Sequence, residues 1–305
     1  MRCEPPAPSP RSISRHATPR VPASALLLVP LAVGALVMVR GGAPAARWGL
    51  HLGAGAIGLA AHAGVAALPR RVVERISLPG AAVGVGLVAS TLFGAGIDGV
   101  RRWHELGPVR LHISALLAPL LLVFAAARMR SRPAVAHGVL VSLQVVHLLQ
   151  PDAGQATALG AGAIVCALAL GAGPLRYLWG AAYGASIAGA WLRPDPLLPA
   201  PFVEDIVGRA FALSPALGVL AVLSTVAIVA APWAASRKEG SLAGHAGPAV
   251  PVALMACFAG SLIAPVFGEL PVPLLGFGPS PVLGAFVGIA ALRRSLDERA
   301  ARAGQ

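Results

Sequence analysis

Charged side chains are scarce in this chain. Only 12% of its 305 residues are Asp, Glu, Lys or Arg, about half the usual share of a globular domain. With 56% hydrophobic residues, that scarcity excludes an ordinary water-soluble fold. Cysteine is nearly absent: Cys3 lies in the N-terminal tail and Cys166 and Cys257 in apolar stretches, and their spacing suits neither a disulfide framework nor a metal site. Aromatics are 5%, and no inverted repeat relates the two halves, which disfavours a transporter built from repeats.

What is present is apolar sequence in long runs. Ten stretches stand out, near residues 22–39, 48–68, 77–97, 111–127, 134–150, 156–174, 177–192, 206–233, 247–268 and 281–292. About 20 apolar residues cross the ~30 Å hydrocarbon layer as a helix, and the shorter stretches can borrow apolar flanks. The expectation is an all-α, polytopic integral membrane protein with about ten transmembrane helices over residues 22–295. Residues 1–21, rich in Pro, Ser and Arg, read as a disordered basic tail, and 296–305 as a second tail. Ala43, Ala45 and Ala46 after the first stretch offer signal cleavage as the alternative for the N-terminus.

The net charge of +12 is distributed in a way that sets orientation. With the N-terminus in the cytoplasm, 17 of the 24 basic residues and five of the 12 acids face inward, and the other seven of each face outward. This positive-inside bias places both termini in the cytoplasm and the chain in the cytoplasmic (inner) membrane. Anionic lipid headgroups account for the basic loops, with no nucleic acid needed. Trp48, Trp179, Trp191 and Trp233 fall at span ends, the preferred depth of an amphipathic ring.

Four outward segments carry the polar chemistry. Residues 99–114 (GVRRWHELGPVRLHIS) hold Arg101, Arg102 and Arg110 against the orientation rule. Clustered guanidiniums suit phosphate or carboxylate, and pairing with Asp98, Glu105 and lipid phosphate is the plain alternative. Asp152 follows the fifth span in a Pro151/Gly154 turn. Upstream, Gln144, His147 and Gln150 share one helix face, which should turn inward as interhelical glue or as a path lining. Residues 193–211 carry Glu204 and Asp205. Arg209 lies four residues after Asp205, a helical pairing distance, so Glu204 is the freer carboxylate. At the lip of an apolar bundle its pKa would rise toward that of a general base, and a helix-capping role competes with that reading. Residues 268–286 are too rich in Gly and Pro for a regular helix and suggest a re-entrant cap.

Taken together, these four segments resemble the FtsW/RodA/SpoVE (SEDS) family. Gly99, Arg102, Trp103, Leu106, Gly107, Arg110 and Ser114 follow the pattern G-x-x-R-W-x-x-L-G-x-x-R-x-Q-P-S-E. Gln150, Pro151, Asp152 and Gly154 follow Q/E-P-D-x-G-T, and Leu198 and Pro199 open L-P-E-x-H-T-D. Pro273, Phe277, Gly278 and Ser280 trace P-F-x-S-Y-G-G-S-S. The resemblance covers roughly residues 90–295. It implies a divergent glycosyltransferase of peptidoglycan synthesis, acting on a lipid-linked precursor in cell division or cell shape, with a class B penicillin-binding-protein-like transpeptidase as partner. By the same resemblance Glu204 stands where the family has its essential Asp and would be the catalytic base, with Asp205 its alternate. Arg102, Arg110, Asp152 and Ser280 would contact substrate. No resident cofactor is implied, although a divalent cation or basic residues would stabilise the leaving pyrophosphate. The departures are Ala115 and Ala118 for an intramembrane acid and base, Phe202 and Val203 for His-Thr, Ala212 and Leu213 for an acidic pair, and Pro279 and Pro281 for a Gly and a Ser. Loss of polar positions beside retained shape-defining ones keeps a second reading open, a non-catalytic scaffold of the same fold. A small-molecule or lipid transporter is the third.

Overall fold

The computed structural model describes residues 22–107, 109–237 and 248–303. The tail expected at 1–21 lies outside them. Eleven helices form among the described residues: α1 (Ala23–Arg40), α2 (Ala45–Ala67), α3 (Arg70–Ser90), α4 (Ile113–Arg128), α5 (Pro133–Leu149), α6 (Ala153–Leu170), α7 (Leu175–Trp191), α8 (Ile206–Leu213), α9 (Pro215–Ser236), α10 (Ala249–Phe267) and α11 (Pro279–Ala303). Six segments, those of α1, α2, α3, α6, α9 and α10, are long and apolar enough on their own to cross a membrane, and α4 and α5 are shorter apolar helices. The chain is thus a multi-pass helical membrane bundle.

Three boundaries differ from the hydropathy reading. The stretch 206–233 is two helices, broken at Ser214, whose backbone is extended (φ −168°, ψ 143°). Pro215 sterically disfavours helical geometry in the residue before it and is itself well placed in a first helical turn. The Ser214 hydroxyl accepts the Leu217 N–H at 3.0 Å and caps the new helix. At eight residues, α8 is only about 12 Å long and cannot span. Before α4, an antiparallel hairpin forms from β1 (Trp103–Leu106) and β2 (Val109–His112), pairing Trp103 with His112 and Glu105 with Arg110. Finally, α11 continues to Ala303 through the segment read as a tail.

Small residues bring the helices together, as expected where lipid supplies no hydrophobic drive and close backbone packing must hold the bundle. The α6–α10 contact rests on Gly162, whose missing Cβ would lie 2.9 Å from the Ala253 carbonyl, and Gly260, where it would lie 2.8 Å from that of Thr157. On α11, Gly284 sits so close to α4 that a Cβ would collide with the Ala115 carbonyl oxygen. Buried Leu121, Leu122, Leu140, Leu143, Leu159, Leu254 and Phe286 fill the centre. The α5 stripe turns inward, as its spacing requires: Gln144, His147 and Gln150 are all buried. Most of their bonds reach neighbouring elements. His147 joins the Ser114 hydroxyl on α4 and Gln144 Oε1, Gln144 donates to the Ala156 carbonyl and Ser186, and Gln150 donates to Thr91. Each stripe residue has partners in neighbouring elements, which is the behaviour of glue.

Candidate functional site: a vestibule at one end of the bundle

At the end of the bundle where α1 turns into α2, four loops enclose a cavity of about 350 Å³. One wall comes from the hairpin and the α5–α6 turn. Arg102 is buried and central to it. Its Nη2 donates to Asp195 Oδ2 at 2.7 Å and to the Pro151 carbonyl, and its Nε donates to the Gln150 carbonyl at 3.3 Å. Its Nε is 3.9 Å from Asp152 Oδ2. Asp152 caps α6 by accepting the Gln155 N–H at 3.0 Å. His112 Nδ1 accepts the Ala115 N–H at 3.2 Å. The ring proton therefore sits on Nε2, 3.0 Å from Asp152 Oδ2. Burial alone would push the Asp152 carboxyl up, but the Arg102 guanidinium and His112 outweigh it and hold it well below the usual carboxylate range. Ser280, at the start of α11, accepts the His112 backbone N–H at 2.8 Å and ties this wall to the last span.

The facing wall is the segment before α8 together with the loop 268–278. Glu204 lines the cavity. Burial raises its carboxyl above the ordinary glutamate value, Asp205 and Asp195 reinforce the rise, and the Ala200 N–H, donating to Oε2 at 2.7 Å, opposes it. Among the described residues no basic group stands within ion-pairing distance of Glu204. Asp205 is spent locally. Its Oδ1 accepts the Phe202 N–H at 2.6 Å and its Oδ2 meets Arg209 Nε at 2.5 Å, and it does not line the cavity. The loop 268–278 dips between α1 and this segment. Leu275 packs against Gly34 of α1, and the Phe277 N–H donates to the Phe202 carbonyl at 2.7 Å. Phe202 (φ +65°) and Leu274 (φ +62°) hold left-handed backbone here, a strain that the surrounding packing must over-determine.

The structure thus brings Glu204, Arg102, Arg110, Asp152 and Ser280 to one cavity and leaves Asp205 outside it. Arg110, on the exposed hairpin, pairs with Glu105 at 3.0 Å. The lining also includes polar residues that were not singled out in the sequence, among them His112, Asp195, Arg47 and Glu269. Arg47 donates to the Pro201 carbonyl at 3.0 Å. Nothing local to their sequence marks the first three, because each acts through a segment far away in the chain. Among the described residues no three His, Cys, Asp or Glu side chains gather as metal ligands, and the cation-compensated Asp152 is a poor donor for one. Gln155, Ser261 and Glu269 also face the cavity, and most of the remaining lining is apolar, with Leu197, Leu198, Val203, Leu270 and Pro271 among it.

Bundle and vestibule together define a polytopic membrane protein with a mostly apolar cup, set with a few polar groups, at one end. The fold is that of RodA. The rod shape determining protein RodA of Thermus thermophilus superposes with a TM-score of 0.68 at 21% identity, covering 91% of this chain and 96% of that one. An Asp-to-Ala point mutant of the same RodA gives the same score and identity, with 97% of that chain covered. A chain from a peptidoglycan synthase complex that coordinates polymerization and crosslinking matches with a TM-score of 0.64 at 19% identity, over 90% of this chain and 97% of that one. No family model matches the sequence, and no curated protein matches it.

Proposed function

We propose that this protein is a divergent member of the RodA/FtsW family that extends glycan strands from a lipid-linked peptidoglycan precursor at the outer face of the cytoplasmic membrane. The observation that carries this reading is Glu204: a proton-avid carboxylate without an ion-pair partner among the described residues, facing a cup that also holds Arg110 and Arg47. In the reaction, the acceptor sugar hydroxyl gives its proton to Glu204 as its oxygen bonds the donor's anomeric carbon. The bond from that carbon to the lipid pyrophosphate breaks, and the electron pair leaves on the pyrophosphate. A general base contributes about 10²–10⁴-fold when its pKa lies near the working pH, and burial moves Glu204 in that direction. Arg110 and Arg47 are the cations placed to meet the leaving charge, whereas Arg102 is consumed by Asp195 and two carbonyls. The mostly apolar lining suits the lipid carrier, and a class B penicillin-binding-protein-like transpeptidase is the partner that this role requires.

The test is polymerisation of labelled lipid-linked precursor by purified protein, with and without such a transpeptidase. Glu204→Gln is expected to lower the rate by about 10²-fold or more with thermal stability no lower than that of the wild type. A Glu204→Gln protein that still polymerises, or a wild type inert in both settings, overturns the catalytic reading. A scaffold of the same fold is the second reading, favoured by Ala115 and Ala118, which are both buried, with Ala115 packed tightly against Gly284. Its signature is a deletion phenotype that Glu204→Gln does not reproduce.

A further inference from the structure

A second cavity, of about 170 Å³, opens at the opposite end of the bundle between α2 and α11, lined by His62, Ala66, Ala290, Arg293, Arg294 and Asp297. Its shape follows from the sequence. Higher up, the two helices touch: a Cβ on Gly58 would lie 2.5 Å from the Phe286 ring. One to two turns on, Ala66 and Ala290 are too small to fill the gap as the helices part. The chemistry of the cavity is cationic. Arg294 Nη2 donates to the Leu68 carbonyl just past the end of α2, which fixes the guanidinium plane. Its Nε–H is buried and has no hydrogen-bond partner, and neither has the neighbouring Ser295 hydroxyl. Buried, charged donors are rarely left unmatched. Among the described residues no carboxylate lies within ion-pairing distance of Arg293 or Arg294, Asp297 included.

We propose that this cavity is a phosphate-binding site, with Arg293 and Arg294 as the binding groups. Two guanidiniums and one carboxylate leave a single positive charge, which matches the single negative charge of a phosphodiester. The planar fork of arginine suits two phosphate oxygens. The cavity is well below the roughly 300–1,000 Å³ that encloses a whole small-molecule ligand, so it takes the phosphate and leaves the remainder outside. An anionic phospholipid fits that description, with its headgroup between α2 and α11 and its chains in the bilayer. A free phosphate presents the same oxyanion. The site is separate from the vestibule and does not depend on the catalytic reading above.

The experiment is native mass spectrometry of the full chain released from nanodiscs of phosphatidylglycerol and phosphatidylcholine, with a parallel thermal-shift titration by inorganic phosphate. The wild type is expected to retain one phosphatidylglycerol, and the double variant Arg293→Gln/Arg294→Gln to retain about tenfold less or lower, given roughly 1 kcal/mol per basic residue at a lipid surface. Ala290→Leu should lose it as well, with every charge in place, because it fills the cavity. Arg71→Gln, exposed and outside the cavity, should retain it. Stabilisation by inorganic phosphate that Ala290→Leu abolishes, with no lipid retained, assigns the site to free phosphate. Equal retention and equal phosphate response in the wild type, the double variant and Ala290→Leu overturn the proposal.

Discussion

Two carboxylates on facing walls of the vestibule, Asp152 and Glu204, are treated in opposite ways. Asp152 is almost fully buried, yet Arg102 and His112 keep it ionised. Glu204 is less buried, yet burial makes it hold its proton more tightly than a free glutamate, and among the described residues no cation stands beside it to reverse that. The contrast separates architecture from chemistry. A carboxylate compensated by a buried guanidinium cannot take up a proton near neutral pH, so it holds segments together. A carboxylate desolvated without compensation keeps the proton affinity that base catalysis uses. The hairpin wall is therefore the frame, and the wall before α8 is where a reaction can occur.

Removing the frame should have the largest effect. Arg102→Ala leaves Asp152 in a buried site without its guanidinium neighbour, and it frees Asp195 and two carbonyls. Breaking a buried pair from one side costs about 3–5 kcal/mol. Thermal unfolding in detergent should show a large fall in Tm, and loss of function should follow from instability. An unchanged Tm would mean that the guanidinium is not holding the α5–α6 turn to the hairpin, and the division into frame and reactive wall would fail.

The second way to sharpen the contrast is pH, where the two carboxylates carry opposite signs. The folded pKa of Asp152 is depressed. Its contribution to stability is therefore complete above the unfolded value of about 3.8 and is lost as pH falls through the lower folded value. Glu204 is raised. Between its unfolded value near 4.5 and its folded value the native state binds more proton than the unfolded chain, so stability declines as pH rises through that window and is level above it. Difference melts against Asp152→Asn should therefore narrow below pH ~4, and difference melts against Glu204→Gln should change above pH ~4.5. Slopes of the same sign for both would contradict the electrostatic assignment.

How far the sequence led is visible in the same residues. Hydropathy located the ten helix-bearing stretches because a span needs nothing but length and apolar composition. It ran straight through Ser214, since the Ser-Pro break is a local steric event inside a continuous apolar run. The spacing of Asp205 and Arg209 already marked Glu204 as the freer acid, and the ion pair is present. The glue role of Gln144 and His147 depended on Ser114 and Ser186, which lie on other helices and share no spacing with them. His112, Asp195 and Arg47 were invisible for the same reason: a site assembled by convergence of loops leaves no periodic trace. The hairpin at Trp103–His112 was hidden by its brevity, four residues a strand.

The smallest effect is expected within one wall, at the adjacent acids Glu204 and Asp205. Asp205→Asn keeps an oxygen to accept the Phe202 N–H and loses only the half-exposed charge pair with Arg209. Such i,i+4 pairs contribute about 0.3–0.5 kcal/mol, a shift near the resolution of a melting experiment, and polymerisation should persist at close to the wild-type rate. Its neighbour, changed as conservatively to Gln, should give the reverse, an intact melt and a lost activity. If Asp205→Asn abolishes polymerisation while Glu204→Gln spares it, the reactive carboxylate is the one that the Arg209 pair holds outside the cup. The segment before α8 would then have to turn to present it.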